Sequence, residues 1–238
     1  MSTAPPANAG QDTPTRAPDA QVSVLIADDE ELTRTGLRVL LASKPDLDVV
    51  GEAADGAAVL PLAVRLRPDV VLMDVRMPRL DGIEATRRLR SELAEPPKIV
   101  VITTFENDEY VYDALQAGAS GFVLKRAPAQ QIAQAIRLVA TSDSVLFPEA
   151  VRRLASGRPV RRDAARKLAV LTRRETHILR WMAKGLTNQE ISVELTVSLE
   201  TVKTHVGNVL AKLGAQNRTQ AVILAYETGL VGTGATGL

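Results

Sequence analysis

Residues 70–82 read VVLMDVRMPRLDG. The four apolar residues Val70 to Met73 leave no polar face, as expected of a strand covered on both sides in a parallel sheet. The run stops at a carboxylate, Asp74, and passes into a loop containing Pro and Gly. Reading outward, the same grammar recurs. VSVLIA at Val22–Ala27 precedes Asp28 and Asp29, the run at Ile99–Thr103 ends in a hydroxyl, and Gly121–Leu124 precedes Lys125. A weaker strand pattern covers Asp48–Ala53. Helical patterns fall near 31–43, 56–67, 82–94, 107–117 and 128–140, and Pro61 inside the second predicts a kink. Strands that alternate with helices in this way predict an α/β fold, a doubly wound five-stranded parallel sheet, over residues 21–141.

Beyond residue 141 the strand pattern does not return. Residues 142–166 carry Gly157, Pro159 and an Arg-rich run and read as a linker with room for short helical pieces. Residues 167–232 hold three helix starts with capping signals: Thr172 with Glu175, Thr187 with Glu190, and Ser198 followed by Glu200 and Thr201. A fourth helix begins near Asn217 and stops at Gly229, which gives a small all-α four-helix domain. Residues 1–20 read as a disordered tail and residues 233–238 as a short terminal tail.

Composition narrows the chemistry. The 238 residues are 45% hydrophobic and 24% charged, as in ordinary globular chains. There is no cysteine, which excludes disulfides, thiolate metal sites and a cysteine nucleophile, and two histidines are too few for a histidine metal cluster. No apolar run approaches the roughly 18–20 residues of a membrane span. The N-terminus lacks a secretory pattern, so the chain is expected in the cytoplasm without a membrane partner. The net charge of +1 hides an asymmetry: residues 21–140 carry 18 acidic and 14 basic side chains, residues 141–238 carry 8 and 14. A basic second half points to a polyanion partner. It also predicts that the acidic first domain docks on the basic face of the second, in competition with that partner.

In a doubly wound sheet, functional groups gather at the carboxyl ends of the strands. Those ends carry Asp28, Asp29, Asp74, Thr103 and Lys125. Hard carboxylate oxygens suit Mg²⁺. A carboxylate beside Mg²⁺ and a lysine can attack a phosphoryl group, because both cations offset charge on the transferring oxygens. IADDE, VLMDVRMPRLDG, VITT and GASGFVLK in this order resemble the receiver domain of bacterial two-component response regulators. The resemblance implies that Asp74 is the phosphoacceptor. It implies Mg²⁺ held by Asp29, Asp74 and the backbone carbonyl of Arg76, with Asp28 acting through water. Lys125 and Thr103 would contact the phosphoryl group, and Phe122 would be the aromatic that follows Thr103. The chain departs from many receivers in having Arg126 and Ala127 between Lys125 and Pro128. An aspartyl-phosphate hydrolase of the haloacid dehalogenase type is disfavoured, since Arg76 stands where that family has its second aspartate. The chain is therefore read as a signalling protein and not as an enzyme.

The second domain, with GLTNQEI, TVKTHV and KLGAQNRTQA, resembles the LuxR-type helix-turn-helix domain, and the pair of domains resembles the NarL/FixJ class of response regulators. Residues 187–194 would be the first helix of the motif and residues 198–213 the recognition helix. On the latter Val202, Val206, Val209, Leu210 and Leu213 form an apolar stripe. Glu200, Lys203, Thr204, Gly207, Asn208 and Ala211 lie on the other side, toward the major groove of double-stranded DNA, while Thr201 suits a phosphate and Lys212 a backbone contact near the far end. Lys203 can donate to guanine or phosphate, and Thr204 can touch a thymine methyl. The last helix is apolar almost all round, which predicts a homodimer interface. The expected function is transcriptional control by a DNA-binding regulator phosphorylated on Asp74 by a histidine kinase. The alternative is a regulator that binds DNA without phosphorylation and uses its first domain as a dimerisation or ligand module.

Overall fold

A computed structural model describes residues 21–104, 108–141, 148–155 and 166–231. Both terminal tails and most of the sequence-predicted linker lie outside the described residues.

Strands β1 (Val22–Ala27), β2 (Leu47–Ala53), β3 (Val70–Asp74), β4 (Lys98–Thr103) and β5 (Gly121–Leu124) form one parallel sheet in the order β2-β1-β3-β4-β5. The continuously apolar runs are the central strands, and every residue of β3 is buried. One face packs against α1 (Glu31–Ala42) and α5 (Ala129–Thr141) through Leu37, Leu41, Ile132 and Ile136. The other packs against α2 (Gly56–Leu66), α3 (Gly82–Glu92) and α4 (Asp108–Gln116).

The predicted elements are present, with ends moved by a residue or two. The expected kink at Pro61 does not break α2, which continues to Leu66. Ala57, whose carbonyl loses its donor, is exposed on the same face as Pro61, so water can take the bond.

Part of the expected linker is instead a packed helix, α6 (Pro148–Ala155), with Val151, Leu154 and Ala155 buried. It lies against α4 and against the last helix of the second domain. That domain comprises α7 (Arg173–Ala183), α8 (Asn188–Leu195), α9 (Leu199–Leu213) and α10 (Arg218–Glu227). Thr172 with Glu175 and Thr187 with Glu190 close reciprocal capping boxes, while Ser198 and Asn217 cap α9 and α10. Gly214 and Gly229 end α9 and the α10 segment at positive φ, 62° and 69°.

Candidate functional site

The strand order reverses direction between β1 and β3, and a doubly wound sheet opens a crevice at such a point. Asp28 and Asp29 leave β1 there and Asp74 closes β3, so one carboxylate oxygen from each lies within 4.8 Å of the other two. Asp28 is fully buried, Asp74 is 6% exposed and Asp29 is open to solvent. Lys125, just past β5, places Nζ 2.6 Å from Asp28 Oδ2 and 3.1 Å from Asp74 Oδ2. Burial pushes the Asp74 carboxyl up and the Lys125 ammonium works against that shift. For Lys125, burial acts downward, but the hydrogen bonds and charges of Asp28 and Asp74 outweigh it and hold the ammonium above its usual value. Three hard oxygen donors this close suit a divalent cation, with Lys125 serving as the internal counter-charge.

The remaining receiver residues fall around this cluster. Thr103 is buried at the end of β4, and its carbonyl accepts from the Lys125 amide at 2.7 Å. Phe122 is half-buried on the sheet face shared with α4. The Arg76 guanidinium lies over the Tyr110 ring, 5.4 Å from its centroid, at the rim of a cleft of about 430 Å³ that also includes Asp29 and Met77. The loop that follows Asp74 is tightly held. Arg79 adopts φ +65° and pairs with buried Asp55, and a Cβ on Gly82 would fall 1.9 Å from the Asp74 carbonyl oxygen.

On α9, Val202, Val206, Val209 and Leu213 are buried, and Leu210 is half-buried. Thr201, Lys203, Thr204, Gly207 and Asn208 are exposed together on the opposite side. Lys203 is 3.5 Å from Glu200, an exposed pair that holds it loosely. A Cβ on Gly207 would meet nothing within 4 Å, so packing inside the chain gives no reason for a glycine there. Lys212 is placed differently from the rest. Its Nζ lies 2.8 Å from both oxygens of buried Glu175, tying α9 to the start of α7.

The second domain meets the first along a seam that the sequence did not announce. The Asn217 side-chain amide donates to the carbonyls of Gly118 (2.8 Å) and Ala119 (3.2 Å) while its oxygen caps α10. Thr219 donates to the Ser120 carbonyl, Gln220 to the Gln116 carbonyl, and Arg90 to Gln216. The Tyr112 hydroxyl donates to Glu227, which is 3% exposed and also accepts from Gln116 at 3.1 Å. Two expectations change here. α10, whose apolar surplus was read as a dimer surface, packs in this conformation on α7 of its own domain and on α6, with a smaller contact to α4, and Ala221, Val222, Ile223, Ala225 and Tyr226 are all buried. The receiver docks on α10 and the α9–α10 turn, not on the predicted recognition face, because apolar burial and directed hydrogen bonds to backbone carbonyls and to Glu227 set the contact, whereas net charge by itself sets no geometry.

Comparison with known proteins agrees with this architecture. The Response regulator receiver domain family matches residues 24–137, and the family of bacterial regulatory proteins, luxR family, matches residues 169–225. The transcriptional regulatory protein LiaR of Bacillus subtilis is 42% identical over 210 residues, which are 88% of this chain and 99% of LiaR. The response regulator protein VraR of Staphylococcus aureus is 40% identical over 210 residues, again 88% of this chain and 99% of the relative. The receiver domain of the putative response regulator NarL from Mycobacterium tuberculosis superposes with a TM-score of 0.50 at 38% identity, covering 51% of this chain and 98% of that domain. The fold and site thus define a receiver joined to a helix-turn-helix output domain. The chain belongs to the two-component response regulators of the NarL/LuxR class. It is a DNA-binding transcription regulator, and among the described residues no helix is long and apolar enough to cross a membrane.

Proposed function

We propose that Asp74 accepts a phosphoryl group from the phosphohistidine of a sensor kinase in the cytoplasm, and that the modification frees α10 for homodimerisation on DNA. The observation that supports this most directly is the meeting of Asp28, Asp29 and Asp74 within 4.8 Å, with Lys125 against two of them. An Asp74 carboxylate oxygen attacks phosphorus, the P–N bond breaks, and the imidazole leaves with its electron pair and takes a proton. Asp29, Asp74 and the Arg76 carbonyl would hold Mg²⁺, with Asp28 behind water; when bound, the ion neutralises and orients the transferring oxygens. Lys125 moves from Asp74 to a phosphoryl oxygen, and the Thr103 hydroxyl donates to another. No turnover follows, since Arg76 offers no general acid at that position. The product carries about −1.5 to −2 additional charge. Its readout runs from Thr103 to Phe122 on the sheet face that α4 shares, and from α4 to the Tyr112–Glu227 contact.

On this reading the unphosphorylated receiver withholds the dimer surface and leaves the recognition face open, so a monomer can still touch one half-site. Lys203, Thr204, Gly207 and Asn208 meet the groove, with Lys203 the main base contact and Thr201 against a phosphate. The test is incubation with acetyl phosphate and Mg²⁺, followed by intact mass and sedimentation. One added phosphoryl group on the wild type, none on Asp74→Asn, and a larger dimer fraction in the labelled protein are expected. Equal labelling of Asp74→Asn refutes the phosphoacceptor. Labelling with no change in dimerisation or operator affinity replaces this reading with phosphorylation-independent binding.

A further inference from the structure

The geometry points to Arg34 and Glu52 as positioning residues for the metal-binding loop, an inference that rests on the phosphoacceptor reading above. The first carbonyl past β1 belongs to Asp28, and no neighbouring strand takes it. Arg34, on the first turns of α1, donates to it from Nη1 at 2.7 Å. The Asp28 amide donates to the Ala53 carbonyl at 3.1 Å, and Asp28 Oδ1 accepts the Glu30 amide at 3.0 Å. The peptide joining Asp28 to Asp29 is therefore held at its carbonyl by one side chain, with that residue's amide and carboxylate pinned on either side. The Arg34 side chain is only 14% exposed, and its Nε lies 3.5 Å from Glu52 on β2, which also accepts Arg38 at 3.1 Å. Glu52 thus orients the guanidinium and balances its charge next to a cluster of three carboxylates.

The sign of the effect separates positioning from electrostatics. Removing a cation near a metal site should tighten metal binding by Coulomb's law. Losing a group that orients a liganding carboxylate should weaken it, typically by about ten-fold or more. Mn²⁺ titration of the full chain, followed by electron paramagnetic resonance, reads this without any phosphorylation. Arg34→Gln is expected to weaken Mn²⁺ binding by about ten-fold. It should raise the Mg²⁺ needed for half-maximal labelling by acetyl phosphate by a similar factor, with the saturated rate little changed. Arg34→Lys, which keeps the charge but not the fork that spans the Asp28 carbonyl and Glu52, should recover only part of the affinity, and Arg38→Gln, which removes the same charge without touching Asp28, should leave it unchanged. Unchanged or tighter Mn²⁺ binding by Arg34→Gln overturns the inference. If that variant does not fold, Glu52→Gln carries the test at high salt, where the lost charge itself is largely screened: it frees the guanidinium from its partner and should still weaken Mn²⁺ binding, and unchanged affinity there overturns the inference equally. Absence of Mn²⁺ binding by the wild type would overturn both this and the phosphoacceptor reading, whereas normal wild-type binding with unaffected variants defeats the positioning role alone.

Discussion

The acidic pocket and the seam between the domains are built from different materials. In the pocket, charged groups leave β1, β3 and β5 at positions set by sheet register, and Lys125 touches two of the three carboxylates. Undoing that arrangement means undoing the sheet. In the seam, one amide side chain, two neighbouring polar side chains and a tyrosine reach across to backbone carbonyls and one carboxylate. Each neutral hydrogen bond of this kind is worth roughly 0.5–1.5 kcal/mol net, and the one to the Glu227 carboxylate about 1.5–3. Among the described residues the buried Glu227 Oε2 meets no hydrogen-bond partner, which counts against the closed state. A sum of small terms with a built-in cost can be reversed by a modest signal. The pocket is suited to receiving a phosphoryl group and the seam to responding.

Gly82→Ala attacks the rigid side of that comparison and should have the largest effect. Its Cβ would overlap the Asp74 carbonyl, which belongs to the backbone and cannot move aside like a side chain. A loss of about 4 kcal/mol or more in unfolding free energy is expected, together with loss of labelling. A variant melting like the wild type would show that the loop is not tightly packed.

Asn217→Asp attacks the soft side. Aspartate caps a helix as well as asparagine does, so α10 should survive. A carboxylate facing the Gly118 and Ala119 carbonyls would open the seam by about 2 kcal/mol, roughly thirty-fold in population. Small-angle scattering of the unphosphorylated protein should show a more extended particle, with a higher dimer fraction. An unaltered profile would mean that Asn217 does not hold the domains together.

Lys212 sharpens the comparison from inside the output domain. The Lys212 hydrogen bond, aided by the Thr172 cap, holds the Glu175 carboxyl below its usual value. A carboxyl lowered on folding adds stability above its unfolded pKa, near 4.3, and loses it as pH falls through the folded value. Lys212→Gln should therefore lower the melting temperature at neutral pH and flatten the loss of stability on acidification. Identical melting curves across pH would return Lys212 to the role of a free phosphate contact.

The smallest effect is expected at Gly207. Alanine is about 1 kcal/mol better than glycine in a helix interior, and the added methyl meets nothing within 4 Å among the described residues. Gly207→Ala should raise output-domain stability by that amount while weakening operator binding. Tighter or equal operator binding would remove the argument that DNA approaches this backbone.

The pocket was legible in the sequence because each of its groups stands one or two residues past the end of an apolar run. The run marks the strand, and the parallel sheet does the rest. The recognition face was legible for a similar reason: the apolar period of α9 fixes which residues face away. The seam was not. Asn217 was visible as a cap, but a cap uses only the side-chain oxygen, and nothing in the local sequence assigns the amide nitrogen to Gly118 and Ala119, about a hundred positions earlier. Lys212 likewise fits the exposed basic pattern until Glu175 is found beside it.

The sequence by itself determined the sheet, its order of alternation, the four output helices with their caps, and which residues meet at the strand ends. Those features follow from local periodicity and from bonds spanning three or four residues, where chain connectivity leaves few alternatives. Only the tertiary structure decided that α6 packs between the domains, that the apolar surplus of α10 is covered in part by α6 and α4, and that Arg34 holds the Asp28 carbonyl. Those outcomes depend on which surfaces become adjacent after the chain has folded. An exposed apolar face has the same sequence signature whether a second copy of the chain covers it or the chain's own first domain does.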